Sequence, residues 1–179
     1  MSEKITRKYS DAEVQKALFT WWAGLEEHHR GDRPALQRCR TIDEVLMTEA
    51  YHRARGELRN IGYQPEKHDV ELATVIGLLA HVRQHVPAGQ KGRSLAFQMA
   101  RGQKEGEGAR VSGLRFRRLL QARDRDELYT RLMGVIRLLD RSVDVNLLAN
   151  DAFYWRAETS NTVRRKWAED YWAAAPQET

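Results

Sequence analysis

"DRDELYTRLMGVIRLLD", Asp124 to Asp140, decides the fold class. Asp124 and Glu127 have the spacing of a capping box, in which each side chain satisfies a backbone N–H of the other at a helix start. Leu128, Leu132, Val135, Ile136 and Leu139 follow on one stripe of a helix with about 3.6 residues per turn. A strand would alternate apolar and polar residues with a period of two, and this stretch does not.

The same pattern extends in both directions. Upstream, Ser112 predicts a cap for a helix carrying Phe116, Leu119 and Leu120 on its apolar arc, and Ser94 predicts one for a short helix through Ala100. Downstream, Asp144 predicts the cap of a helix through Trp155, with Val145, Leu148, Ala152 and Trp155 inward. Ser160 or Asn161 then caps a last helix on the stripe Val163, Trp167, Tyr171. Nearer the N-terminus, Leu72, Val75, Ile76, Leu79 and Val82 mark the most apolar helix. Thr41 with Glu44 opens a helix towards Leu58, and Ser10 with Glu13 opens one on Val14, Leu18, Trp21 and Leu25. Gly31 and Pro34 in "GDRP" end that first helix, and "NIGYQPEK" reads as a turn. "HVPAGQKG" is a break, and the glycine-rich "RGQKEGEGAR" reads as a mobile linker. The expectation is an all-α helical-bundle protein of two small packed subdomains, an N-terminal one over 1–88 and a basic C-terminal one over 89–179.

With 179 residues, the chain can bury roughly 70% of its unfolded surface and needs no disulfide or metal to hold a core. Its one cysteine, Cys39, cannot pair internally and suits a reducing compartment. The N-terminus lacks the apolar run of a signal peptide, and the longest apolar run, around Val75 to Ala80, falls far short of the ~20 residues of a membrane span. A cytoplasmic protein without membrane attachment is expected.

The formal net charge of +5 is unevenly spread. Between Gln90 and Arg141 stand thirteen basic residues and six acidic ones. That segment is therefore +7, and the remainder of the chain is −2. Such asymmetry points to an acidic partner, nucleic acid being the commonest, against the alternative of a solvated charged face. Arginine far outnumbers lysine here, and its planar, bidentate donors suit phosphate. On a helical wheel Arg115 and Arg117 fall about 90–110° from the centre of the Phe116 arc and Arg118 about 150°. Arg137 and Arg141 lie opposite the Leu132–Ile136 stripe, with Arg131 flanking it; Arg165 lies opposite Trp167, with Arg164 and Lys166 to either side. These arginines point outward on three helices. Interleaved aromatics would signal base stacking. However, Trp21, Trp155 and Trp167 fall on core stripes, Trp22 is one step off, and only Trp172 reads as exposed, which favours backbone binding.

Catalytic chemistry finds little support. His81 and His85 have a metal-compatible spacing, but no further ligand cluster accompanies them. "GQKGRS" (Gly89 to Ser94) lacks the spacing and the preceding strand of a phosphate loop. Asp140, Asp144 and Asp151 could form a nuclease cluster, yet Asp144 is better explained as a cap. Cys39 has no base partner. No catalytic residue, metal ligand or cofactor is expected.

"WAGL" (Trp22–Leu25), "RPALQRCR" (Arg33–Arg40), "GRSLAFQMA" (Gly92–Ala100), "SGLRFRRLLQARDRDEL" (Ser112–Leu128), "VDVNLLANDAFYW" (Val143–Trp155) and "VRRKWAEDY" (Val163–Tyr171) occur in this order. Together they resemble the CasB family, the small subunit of the type I-E CRISPR surveillance complex, Cascade. The Gly/Glu-rich linker and "LQRCR" depart from the family pattern. The resemblance implies an all-helical, non-catalytic protein in an antiviral ribonucleoprotein. Its implied partners are the repeated backbone subunit, the large subunit, guide RNA, target DNA and a second copy of itself. Its implied role is to stabilise the R-loop by gripping target DNA and the displaced strand. Guide pairing reads sequence, so the protein need only hold backbone. By motif position the resemblance carries binding to Lys67, Lys91, Arg93, Arg115, Arg118, Arg131, Arg137, Arg164 and Arg165. A helix N-terminus just after Lys67 would add backbone donors. Three rivals stay open: a stand-alone helical DNA-binding regulator, an adaptor meeting an acidic protein, and an enzyme. Asn and Gln are scarce on the basic helices, which disfavours base reading.

Overall fold

The computed structural model describes residues 6–88, 92–104, 106–158 and 162–176. The fold is predominantly α: the described residues form ten α-helices, one 3-10 turn and two strands of two residues each. The chain divides into two compact units, Met1–His81 and Val82–Thr179.

The first unit holds α1 (Ala12–Gly24), α2 (Asp32–Arg38), α3 (Ile42–Leu46), α4 (Glu49–Asn60), the 3-10 turn Pro65–Lys67, and α5 (Asp69–Leu79). Helix α5 is its centre. Every residue from Leu72 to Leu79 is buried, as a helix apolar on all sides must be. The one hydroxyl there is satisfied within the helix, Thr74 Oγ1 donating to the Val70 carbonyl at 2.7 Å. Helices α2, α3 and α4 pack on α5, and α1 packs on α4. Past the end of α5, the Ala80 carbonyl accepts from Arg33 and Gln37 of α2, each at 2.9 Å. Arg53 of α4 clamps Asp32 at the start of α2 through two bonds, 2.6 and 3.1 Å. Tyr51 and Arg55 converge on Asp69, the first residue of α5, at 2.6 and 2.8 Å. Burial pushes the Asp69 carboxyl up, but these donors outweigh it and hold the group below its ordinary value.

Local signals in this unit came out unevenly. Thr41 caps α3 as expected: its hydroxyl accepts from the Glu44 N–H at 3.2 Å, and Glu44 accepts from the Arg40 N–H at 2.5 Å. The helix expected to run on to Leu58 instead breaks at Met47–Thr48 and restarts as α4, because Thr48 supplies a second cap to the Tyr51 N–H at 3.1 Å. Ser10 is not the cap of α1. That helix opens after Asp11, whose carboxylate turns back to the Lys8 N–H at 3.0 Å. Pro34 does not act as a breaker: it sits in the first turn of α2, where a missing N–H costs nothing.

The second unit holds β1 (Gln84–His85), α6 (Leu95–Ala100), α7 (Gly113–Leu120), α8 (Arg125–Leu138), β2 (Ser142–Val143), α9 (Val145–Tyr154) and α10 (Thr162–Ala174). Helix α6 is almost wholly buried against α9 and α10. Ser94 precedes it but makes no side-chain cap. Two distant carboxylates serve instead: Asp170 accepts from the Ser94 N–H at 2.6 Å and Asp151 from the Leu95 N–H at 3.1 Å. Asp124 and Asp144 cap α8 and α9 as their positions predict, accepting from Glu127 N–H at 2.8 Å and from Asn146 and Leu147 N–H at 3.0 and 3.1 Å. Ser160 and Asn161 lie outside the described residues.

Two short strands accompany the helices without changing the predominantly α fold. β1 and β2 pair in parallel, Gln84 with Ser142 and His85 with Val143. Two residues are too few for period-two alternation to register. Asp140 and Arg141, at φ 52° and 57°, turn the chain out of α8 into β2. The Arg141 carbonyl accepts from the Arg83 and Gln84 N–H groups at 2.8 and 3.1 Å. This pairing ties residues 83–86 to the second unit, Val82–Thr179. The ends of the glycine-rich linker are joined: Arg110 N–H donates to the Arg101 carbonyl and Val111 N–H to that of Met99.

Candidate nucleic-acid interface

Helix α7 carries three exposed arginines in eight residues. Ser112 Oγ accepts from the Arg115 N–H at 3.5 Å. Phe116 is fully buried and stacks on Tyr171 of α10, the rings 3.8 Å apart and 6° from parallel. Leu119 is buried beside it. With those two residues fixed inward, the helical turn aims Arg115, Arg117 and Arg118 at solvent. The helix contains no acid, and Arg117 and Arg118 occupy its last turn, where the dipole favours cations.

Arg137, in the last turn of α8, and Arg165 of α10 are likewise exposed. Among the described residues, Arg115, Arg118, Arg137 and Arg165 have no carboxylate within ion-pair reach.

Other basic residues are engaged. Arg131 is half-buried and pairs with Glu127, which also receives Arg123. The Arg123 backbone N–H, with both guanidinium groups, holds the Glu127 carboxyl below its ordinary value against the opposing effect of burial. Arg164 donates to the Ala157 carbonyl at 2.5 Å and to the Leu120 carbonyl at the end of α7, and it lies over the Trp155 ring at 5.9 Å. Arg93 lies over the Phe97 ring at 3.8 Å, with Arg101 5.3 Å from the same ring. Lys67 is exposed at the end of the 3-10 turn. However, Asp69 and Glu71 already occupy the first turn of α5 behind it, opposing the positive end of the helix dipole. Lys91 lies outside the described residues.

Several arginines have structural work that spacing did not disclose. Arg125 donates to the carbonyls of Ala152, Phe153 and Trp155 at 2.7–2.9 Å, and Arg156 to those of Phe153 and Trp155. Together they satisfy two open carbonyls at the end of α9, those of Ala152 and Phe153, and that of Trp155 just beyond it. Arg110 pairs with Asp140 at 2.9 Å. For Arg110 and Arg125 the only trace of these roles in the sequence is the excess of arginine over lysine, because their partners lie about thirty residues away.

The acids considered as a nuclease cluster have separate duties. Asp140 holds Arg110 and Gln103, and Asp144 caps α9. Asp151 is buried, and one of its oxygens accepts from both the Leu95 N–H and Trp167 Nε1, the latter at 2.7 Å. Burial raises the Asp151 carboxyl above its ordinary value. Burial acts the same way on Asp170, but Lys166 and the Ser94 N–H outweigh it and hold that group down. His85 Nδ1 accepts from the Val145 N–H at 3.1 Å. No group of three or more metal-ligating side chains occurs among the described residues. Cys39 is buried, which raises its thiol pKa. Gly89 to Lys91 of "GQKGRS" lie outside the described residues. Among the described residues no helix is long and apolar enough to cross a membrane.

Comparison with known families matches the chain to the family described as CRISPR-associated protein Cse2, over residues 32–172. No curated protein and no solved structure matches the chain. The matched segment includes α7 to α9 and the arginines of α10.

Proposed function

The chain belongs to the CRISPR-associated Cse2 family, the CasB small subunit of type I-E Cascade, and from that premise we propose that it grips nucleic-acid backbone to stabilise the R-loop. In this reading it is a non-catalytic subunit of a cytoplasmic complex in CRISPR defence. Arg115, Arg118, Arg137 and Arg165 are its phosphate contacts, and Lys67 and Arg93 are secondary ones. Lys91 is carried by family position alone. The partners proposed are guide RNA, target DNA, the repeated backbone and large subunits, and a second copy of this chain.

The observation that carries the reading is the surface of α7. Three arginines point outward from a helix without an acid, while other arginines of the same chain are taken up by carboxylates and carbonyls. A merely solvating surface does not require that separation. Uncompensated guanidinium groups bind phosphate through charge and paired donors. Arg131 and Arg164 support the site indirectly, by fixing α8 and the end of α7.

The test is the triple variant Arg115→Ala, Arg118→Ala, Arg137→Ala. At roughly 0.7 per contact on single strands, it should flatten the slope of log K against log salt by about 2. The loss should be equal for unrelated sequences, since phosphate contacts carry no base information. Assembled with the other subunits, the variant should enter the complex but weaken its hold on target DNA. An unchanged slope would show that these arginines touch no phosphate. A loss confined to one sequence would favour a stand-alone regulator.

A further inference from the structure

Beside the arginines of α7 lies an aromatic group that phosphate binding does not use. Trp172 of α10 is 48% exposed, although the chain buries its other four tryptophans to 7% or less. An indole left in water forfeits the favourable burial of a large apolar surface.

Its position is fixed on several sides. The indole stands edge-to-face with Phe116 at 80° and with Tyr171 at 84°, the centroids 5.8 and 4.9 Å away. Those two rings are themselves stacked and buried. Its benzo edge lies against the first turn of α7, where a β-carbon on Gly113 would stand 3.4 Å from the ring. The Arg117 guanidinium lies over the ring at 5.5 Å. Leu114, one residue after Gly113, is 56% exposed and adds apolar surface. The ring is thus ordered before any ligand arrives, so little rotamer freedom remains to be lost on binding.

We propose that Trp172 is a stacking platform for an unpaired nucleobase, with Arg117 and its neighbours on α7 holding the adjoining phosphates. The proposal rests on the phosphate-binding reading above and adds a base contact to it. Charge complementarity selects this occupant. Arg115, Arg117 and Arg118 stand on the same helix as Leu114, and that helix has no acid to pair with a cationic partner. A single strand presents flat apolar bases and phosphates in alternation, whereas a duplex keeps its base faces stacked within. Stacking on an aromatic ring tolerates any base, because every base has a π face. The contact therefore adds affinity without reading sequence.

The experiment compares an oligothymidylate with an abasic chain of tetrahydrofuran phosphates of the same length. Full-length protein, Trp172→Leu and Trp172→Phe are titrated with each probe, with circular dichroism checking that the helices are intact. Wild type should bind the base-bearing probe at least about fivefold tighter than the abasic one. Trp172→Leu should lose most of that preference while keeping the wild-type salt slope, and Trp172→Phe should retain part of it. Equal binding of both probes by wild type overturns the stacking contact while leaving the phosphate reading standing. A preference that survives in Trp172→Leu also overturns it, placing the base elsewhere. If wild type binds neither probe, the phosphate reading fails and the stacking contact with it.

Discussion

Arg164 and Arg165 are neighbours in sequence with different surroundings, and replacing each by alanine tests the proposed division between structural and binding arginines. Arg164 gives one hydrogen bond to the Leu120 carbonyl in a partly buried setting and one to Ala157 in an exposed setting, and it lies over Trp155. A charged donor to a partly buried carbonyl contributes about 1.5–3 kcal/mol net. The exposed bond and the cation–π contact add roughly 0.5 kcal/mol each. Arg164→Ala should therefore destabilise the protein by about 2.5–4 kcal/mol, since the end of α7 also loses its tie to α10. Arg165→Ala removes an exposed side chain and should cost at most about 0.5 kcal/mol. In binding the order reverses. Arg165→Ala should flatten the salt slope for single strands by about 0.7, while Arg164→Ala, measured where it is fully folded, should leave the slope unchanged. Urea unfolding followed by tryptophan fluorescence gives the first quantity, and titrations at several salt concentrations give the second. Equal stability of the two variants, or a flattened slope for Arg164→Ala alone, would refute the reasoning.

Core and buried polar positions give further expectations. Leu132, fully buried on α8, should cost roughly 2–5 kcal/mol on replacement by alanine, read by chemical denaturation. Asp151→Ala leaves the Leu95 N–H and Trp167 Nε1 without their acceptor and should cost about 2–5 kcal/mol. Asp151→Asn should cost far less, because one amide oxygen can accept both bonds; equal unfolding midpoints for the two variants would contradict this. The folded-state pKa of Asp69 is depressed, so its pairing with Tyr51 and Arg55 stabilises the protein above the unfolded value near about 4 and is lost as pH falls through the lower folded value. Wild type should therefore lose urea resistance more steeply than Asp69→Asn on acidification below about pH 4. Parallel pH profiles would remove Asp69 from the account.

What could be read from the chain alone was whatever depends on near neighbours. The stripe from Leu128 to Leu139, the apolar run of α5, and the caps at Thr41, Asp124 and Asp144 involve residues a few positions apart, and there the structure agrees. The outward turn of Arg115, Arg117 and Arg118 was legible for the same reason, since Phe116 and Leu119 set the phase of the helix. Local pattern failed where two local solutions compete. Thr48 cut a helix that periodicity alone would have continued, and Asp11 displaced Ser10 at the start of α1. The tertiary structure alone decided which arginines remain available. Arg131 and Arg137 share one helix, and Arg164 and Arg165 are adjacent, yet one of each pair meets an acid or a carbonyl and the other is exposed. The short parallel ladder and the carboxylate caps of α6 likewise join residues more than fifty positions apart. Helix phase is set by spacing along the chain, but a charge is compensated by whatever the fold brings within about 4 Å of it, and that distance has no counterpart in sequence.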